Sequence, residues 1–201
     1  MKTLLLTLSL LTILTTSCTK SISTSQTQED DFIDWITNTN PGFSGNLNGE
    51  FMKWQLDGPS DHVEIFGFQP CGNQDTSNPY RVLLAGIVSH DETEYAKIYT
   101  PVYKKKSLSD FESFLSVDNK ILGNYGTDYS FEIMYKGKYF TSDPGLPAKF
   151  YIQKTEAYIT PLSQINLRVW FTIDATLKDP TNNYTAELKN GRFIGEFAGY
   201  E

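Results

Sequence analysis

The usual equipment of catalysis is nearly missing from this sequence. Its 201 residues hold two histidines, two cysteines and three tryptophans. A zinc site takes three or four ligands, commonly in short-spaced pairs, and neither His62 nor His90 has a second His or a Cys close by in the chain. There is no Gly-X-Ser-X-Gly elbow, no phosphate loop and no His-Glu-X-X-His pair, the motifs that would announce a hydrolase, a nucleotide enzyme or a zinc protease. No metal or cofactor is expected, and no catalytic residue is assigned. Positive charge is also scarce: 17 Lys and Arg against 24 Asp and Glu leave a net charge of −7. Such a surface repels phosphate backbones, so nucleic acid is not an expected partner, and charge alone cannot hold the chain on an anionic membrane. Finally, no apolar run reaches the roughly 20 residues that a membrane-crossing helix needs.

What is present is aromatic. Hydrophobic residues make up 39% of the chain, enough for a core, and aromatics reach 14%, led by 13 Phe and 12 Tyr. That bias favours strands over helices. The first segment is of another kind. Met1-Lys2 supplies a short positive start, and Thr3 to Thr16 is a leucine-dominated apolar stretch, too short to span but suited to the core of a signal peptide. It ends at Leu14-Thr15-Thr16-Ser17-Cys18. This resembles a lipobox, with small residues before a cysteine that is acylated before cleavage. Thr15 stands where the commonest pattern has Leu, and Leu14 lies one place early; looser forms of this kind occur among lipoproteins of the Bacteroidetes type.

Residues 1–17 therefore read as a lipoprotein signal peptide and Cys18 as the lipid-modified N-terminus. An ordinary secreted protein and a retained anchor are the rival readings. Removal of the leader takes Lys2 and leaves a net charge of −8. A thioether at Cys18 leaves Cys71 a lone thiol; the alternative is a Cys18–Cys71 disulfide in an exported chain. Membrane attachment then comes from acyl chains such as palmitate, each buried methylene contributing about 0.8 kcal/mol. Residues 18–28 are polar and without periodicity, a flexible tether. Thr19 follows Cys18, so the aspartate linked to inner-membrane retention in enterobacterial lipoproteins is missing, and Thr19-Lys20-Ser21 lacks an acidic surface-export run. The expected location is the cell envelope, at the outer membrane, with its periplasmic and surface faces both open.

Residues 29–201 read as one domain. Phe32, Ile33, Trp35 and Ile36 have helical spacing over Asp30 to Ile36, and Pro41-Gly42 ends the helix. Asn48-Gly49 between Phe43–Leu47 and Glu50–Asp57 predicts a two-residue hairpin that sets Phe43 opposite Trp54 and Gly45 opposite Met52. Asn190-Gly191 repeats the dipeptide near the C-terminus and predicts a second hairpin, with Leu188 opposite Phe193. Further strands are predicted at His62–Phe68, Arg81–His90, Glu94–Tyr103, Asp128–Tyr135, Lys138–Ser142, Lys149–Thr160 and Gln164–Leu177. Val82 to Val88 is almost continuously apolar, as a strand covered on both faces would be. One helix interrupts the series, with Ser109 and Glu112 at capping-box spacing and Leu108, Phe111, Phe114 and Leu115 on one side. About ten strands and one or two short helices make a mostly β chain, an antiparallel β-sandwich or open barrel.

The stretches Phe131-Glu132-Ile133-Met134-Tyr135-Lys136-Gly137-Lys138, Leu167-Arg168-Val169-Trp170-Phe171 and Glu187-Leu188-Lys189-Asn190-Gly191-Arg192-Phe193 resemble a group of small uncharacterised Bacteroidetes-type lipoproteins with a β-sandwich domain. The likeness covers residues 128–197 best and the first 60 loosely. It implies a sandwich at the cell envelope and carries over no activity.

Two acidic groups, Glu29-Asp30-Asp31 and Asp91-Glu92-Thr93-Glu94, offer oxygens to calcium. The first equally suits a helix N-terminus and the second a solvated hairpin loop. The aromatics hold more promise. In Leu167–Leu177 the odd positions are apolar, while Arg168, Trp170, Thr172 and Asp174 form the polar side, so Trp170 faces away from the core. Tyr95, Tyr99 and Tyr103 share one strand face with Lys97 and Lys105. Such residues stack on sugar rings or anchor a protein partner, unless another strand, the helix or lysine stems cover them. The candidate binding residues are thus Trp170, Arg168, Tyr95, Tyr99 and Tyr103, and the expectation is a non-enzymatic envelope lipoprotein that binds a glycan or protein. The alternatives are an assembly subunit that pairs through strand edges and an unrecognised hydrolase.

Overall fold

The computed structural model describes residues 31–56, 69–70, 80–89, 91–104, 107–159 and 165–198. Cys18, Cys71, His62 and His90, the tether and the predicted strand His62–Phe68 lie outside them. By contacts the chain divides into two units, Met1–Asn38 and Thr39–Glu201. In the first, residues 31–37 form a helix, α1. Thr37 closes it: its hydroxyl donates to the Ile33 carbonyl at 2.9 Å, and the Phe32 and Trp35 rings meet at 5.5 Å.

The second unit is antiparallel β. Its described elements are β1 (Gly42–Leu47), β2 (Glu50–Gln55), β3 (Gln69–Pro70), β4 (Tyr80–Val88), β5 (Tyr95–Lys104), α2 (Leu108–Phe114), β6 (Asp118–Lys120), β7 (Ser130–Tyr135), β8 (Lys138–Ser142), β9 (Ala148–Ile159), β10 (Ile165–Lys178) and β11 (Thr185–Ala198). Two turns are fixed by backbone chemistry. Asn48 and Gly49 (φ 51° and 83°) join β1 to β2, and Lys136 and Gly137 (φ 50° and 71°) join β7 to β8. Both residues of each pair take the positive φ that a primed hairpin turn demands. The first gives the predicted register, with Phe43 opposite Trp54 and Gly45 opposite Met52.

Strand order makes a sandwich from one curled sheet. One layer runs β2-β1-β11-β10-β9-β6, and the other β8-β7-β5-β4-β3. The strand common to both is β10, whose edge pairs with β9 from Ile165 to Ala175 and then with β8 at Leu177 and Lys178. Between the layers lies a core that takes Phe131 and Ile133 from β7, Ile98 from β5, Phe171 from β10 and Phe193 from β11. Rings carry much of it: Phe150 lies parallel to Phe171 at 5.3 Å, and Phe43 crosses from one layer to Phe131 in the other at 5.6 Å. The layers are in close contact at Gly195, where a Cβ would stand 2.7 Å from the Ala85 Cβ. As its unbroken apolarity implied, β4 is buried from Val82 to Ile87.

Three local readings are corrected. Asn190-Gly191 does not turn: β11 continues through it as a bulge, with two residues of β11 opposite one of β1 on one side and one of β10 on the other. Asn190 takes φ 52°, its N–H donates to Asp174 Oδ1 at 2.7 Å, and Gly191 sits where a Cβ would meet the Ile173 carbonyl at 2.7 Å. The α2 cap is Ser107, not Ser109: its Oγ accepts from the Asp110 N–H and donates to the Asp110 carboxylate. Phe111 and Leu115 face the core as expected. The third correction concerns Tyr103 and belongs to the site.

Candidate functional site

The five candidate residues fall on two separate faces and in the core. Trp170 and Arg168 lie on the outer face of the β10–β11 layer. The alternation that placed them there holds, since Leu167, Val169, Phe171, Ile173 and Ala175 all join the core and Trp170 does not. Exposure does not follow from it. Trp170 is 0% exposed, with the Lys154 ammonium 4.2 Å from its ring centre. Beside it in the register Ile194 is also buried. Trp170 is therefore no ready platform for a ligand.

Arg168 is committed as well. Its Nε and Nη2 both donate to Glu196 Oε1, at 3.0 and 2.7 Å, and the other Glu196 oxygen accepts from the Tyr158 hydroxyl at 2.6 Å. The guanidinium stands 4.7 Å from the Tyr158 ring centre, and Asn166 donates to the Tyr158 oxygen at 3.4 Å. Glu196 is only 7% exposed, so the pair is a largely buried ion pair in which both carboxylate oxygens are hydrogen-bonded. Burial first, then the bond to Glu196, pushes the Tyr158 hydroxyl up to about 12. Glu196 and Tyr158 were not singled out in the sequence. The register that would have found them, Arg168 opposite Glu196 and Asn166 opposite Tyr158, depends on strand pairing across many residues.

Tyr103 leaves the tyrosine stripe at a bulge. Between Val82 and Leu84 of β4 the opposite strand advances three residues, from Tyr99 to Val102. The extra residue falls at Thr100-Pro101, where proline has no N–H to offer the ladder. Thr100 is fully buried and its hydroxyl accepts from the Leu83 N–H at 3.0 Å. The parity of β5 reverses there, and Tyr103 packs inward on Phe111 and Phe114 at 5.6 and 4.8 Å.

Tyr95 and Tyr99 remain on the outer face of the second layer, and there the structure gathers a group. The register sets Tyr95 opposite Met134, Lys97 opposite Glu132 and Tyr99 opposite Ser130. The turn at Lys136-Gly137 adds Tyr139 opposite Met134 and Thr141 opposite Glu132. The Tyr99 hydroxyl donates to Glu132 Oε2 at 3.2 Å, and the edge of the Tyr125 ring meets the Tyr99 ring at 5.2 Å. Burial, the Glu132 charge and a hydrogen bond to Glu132 all raise the Tyr99 and Tyr139 hydroxyls above the ordinary tyrosine range; burial and the same charge raise Tyr95. The Lys97 ammonium lies 4.4 Å from the Tyr95 ring centre. Tyr95, Lys97, Glu132 and Tyr139 are half-buried, while Tyr99 and Ser130 are buried beneath them. Three neutral phenols thus surround one carboxylate, with a cation beside it. This arrangement offers acceptors, donors and ring faces on one patch. Glu132 and Tyr139 were missed in the sequence, although the flanking core residues Phe131 and Ile133 already point Glu132 outward.

Comparison with protein-family models, with curated proteins and with solved structures found no match.

The acidic loop spends its carboxylates on protein donors. Asp91 accepts from the Ser89 hydroxyl at 2.6 Å and the Thr93 N–H at 3.2 Å, and Glu94 accepts from the Lys136 N–H at 3.0 Å. Among the described residues no group of three or more His, Cys, Asp or Glu gathers to hold a metal ion, and no helix is long and apolar enough to cross a membrane.

Proposed function

We propose that this chain is an exported, lipid-anchored protein of the cell envelope, non-enzymatic, whose sandwich binds a glycan or an envelope protein through the outer face of β5, β7 and β8. The anchor rests on the leucine run that ends at Cys18. The observation that carries the binding reading is the convergence of Tyr95, Tyr99 and Tyr139 on Glu132. Tyrosine combines a large apolar ring with a polar tip at little rotamer cost. Half-buried rings on rigid strands are already held in place, so little further ordering is needed on binding.

The test has two arms. Mass spectrometry of the protein from native membranes is expected to find a mature chain that begins at Cys18 and carries acyl groups; an intact leader or an unmodified Cys18 refutes the anchor. For the surface, a photo-crosslinking residue in place of Tyr139 is expected to label an envelope component that the same residue in place of Tyr151, on the other layer, does not. Equal labelling from both positions refutes the aromatic face.

A further inference from the structure

The Tyr–Glu–Lys face sorts ligands by charge. A dense anion meets Glu132 at the centre of the patch on a chain of net charge −7. A cation is repelled by the Lys97 ammonium, which stands 4.4 Å from the Tyr95 ring centre. A neutral ligand rich in hydroxyls meets neither obstacle. Its hydroxyl donors suit the Glu132 carboxylate, which has about four lone-pair sites. Its oxygens suit Lys97 and the Tyr139 hydroxyl, and its C–H face suits the half-buried Tyr95 ring.

A second observation points the same way. Ser130, directly opposite Tyr99, is 3% exposed, and its hydroxyl is a buried side-chain polar atom with no hydrogen-bond partner. Buried hydroxyls are normally paired, since leaving one unmet is costly. Here the unmet group lies on the same side of β7 as Glu132, enclosed beside Tyr99.

We infer that the outer face of β5, β7 and β8 is a saccharide site for neutral sugars, in which Glu132 and Lys97 hold hydroxyls and the Tyr95 ring carries the sugar's apolar face. This rests on the aromatic-face reading above and narrows it to one ligand class.

The experiment uses the full chain in detergent micelles on immobilised neutral polysaccharides (a β-glucan, an α-mannan and a galactan), on heparin and polygalacturonate, and on a lysine-rich peptide. Retention on at least one neutral polysaccharide is expected, persisting in raised salt, because no counterions need be released. Glu132→Gln and Tyr95→Ala are each expected to weaken it tenfold or more, and Lys154→Ala, on the other layer, to leave it within twofold. Unchanged thermal melting of Glu132→Gln separates loss of the site from loss of the fold; if that variant does not fold, the Tyr95→Ala result decides. Retention on the peptide or the acidic polymers alone, lost in Tyr95→Ala, overturns the sugar assignment while the aromatic face stands. Retention on nothing, or retention that Tyr95→Ala does not change, overturns the assignment and the face together.

Discussion

The two outer faces of the sandwich carry similar residues and use them differently. On the outer face of the β10–β11 layer Trp170 and Glu196 are buried, and Arg168 is held against Glu196. Trp170 is enclosed, and the Arg168–Glu196 pair is closed by Tyr158. On the β5–β7–β8 layer Tyr95, Lys97, Glu132 and Tyr139 stay half-buried. A Trp within a polar alternation is therefore no sign of a binding surface by itself. What separates the faces is burial: both carboxylates accept from a tyrosine, but Glu196 and Trp170 are enclosed while Glu132 and Tyr139 stay in reach of solvent.

The sharpest way to break this comparison is to truncate one aromatic on each face. Trp170→Ala is expected to cost about 3–5 kcal/mol, as large-to-small changes at fully buried sites do. Tyr139→Ala is expected to cost far less, near the central value of about 1 kcal/mol for point variants. Urea denaturation of the two variants checks this, and equal losses would erase the distinction. Next in size is the ion pair. Glu196→Ala strands the Arg168 guanidinium and is expected to cost about 3 kcal/mol. Joint replacement of Arg168 and Glu196 by Met is expected to recover most of that loss, and failure to do so would show that the charges themselves matter.

The smallest effect is read in alkali. Tyr158, pushed up to about 12 against about 10 in an unfolded chain, holds its proton more tightly when folded. Its contribution to stability is whole below pH 10 and is lost as pH rises toward 12. Tyr99, Tyr129 and Tyr139 are shifted in the same direction. Melting temperature is expected to hold up to about pH 10 and fall beyond it, less steeply in Tyr158→Phe. A fall of the same slope in that variant would remove Tyr158 from the account.

How far the fold could be read from the residues is clearest in the two Asn-Gly dipeptides. Both put Asn at positive φ, as their local chemistry dictates. The first joins β1 to β2, which pair with each other right up to Leu47 and Glu50, so the chain turns there even though Asn48 also bonds Glu187 of β11. The second sits between β1 and β10, which hold the strand on both sides, so the same backbone kink becomes a bulge. Local sequence names the kink, and distant pairing decides what it does. The same limit applies to the site. Alternation placed Trp170, Arg168, Tyr95 and Tyr99 on outer faces correctly. The burial of Trp170, the bulge at Thr100-Pro101 that turns Tyr103 inward, and the arrival of Glu132 and Tyr139 beside Tyr95 all come from strands far apart in the chain.

That β1 is zipped between β2 and β11 has a consequence for how the molecule assembles. The first described strand of the sandwich finds its second neighbour in β11, the last described one, so no fragment that stops short of β11 can finish that layer. Pairings of such long range are slow to close. A chain that emerges N-terminus first must therefore wait for β11 before β1 can be joined through it to the shared strand β10.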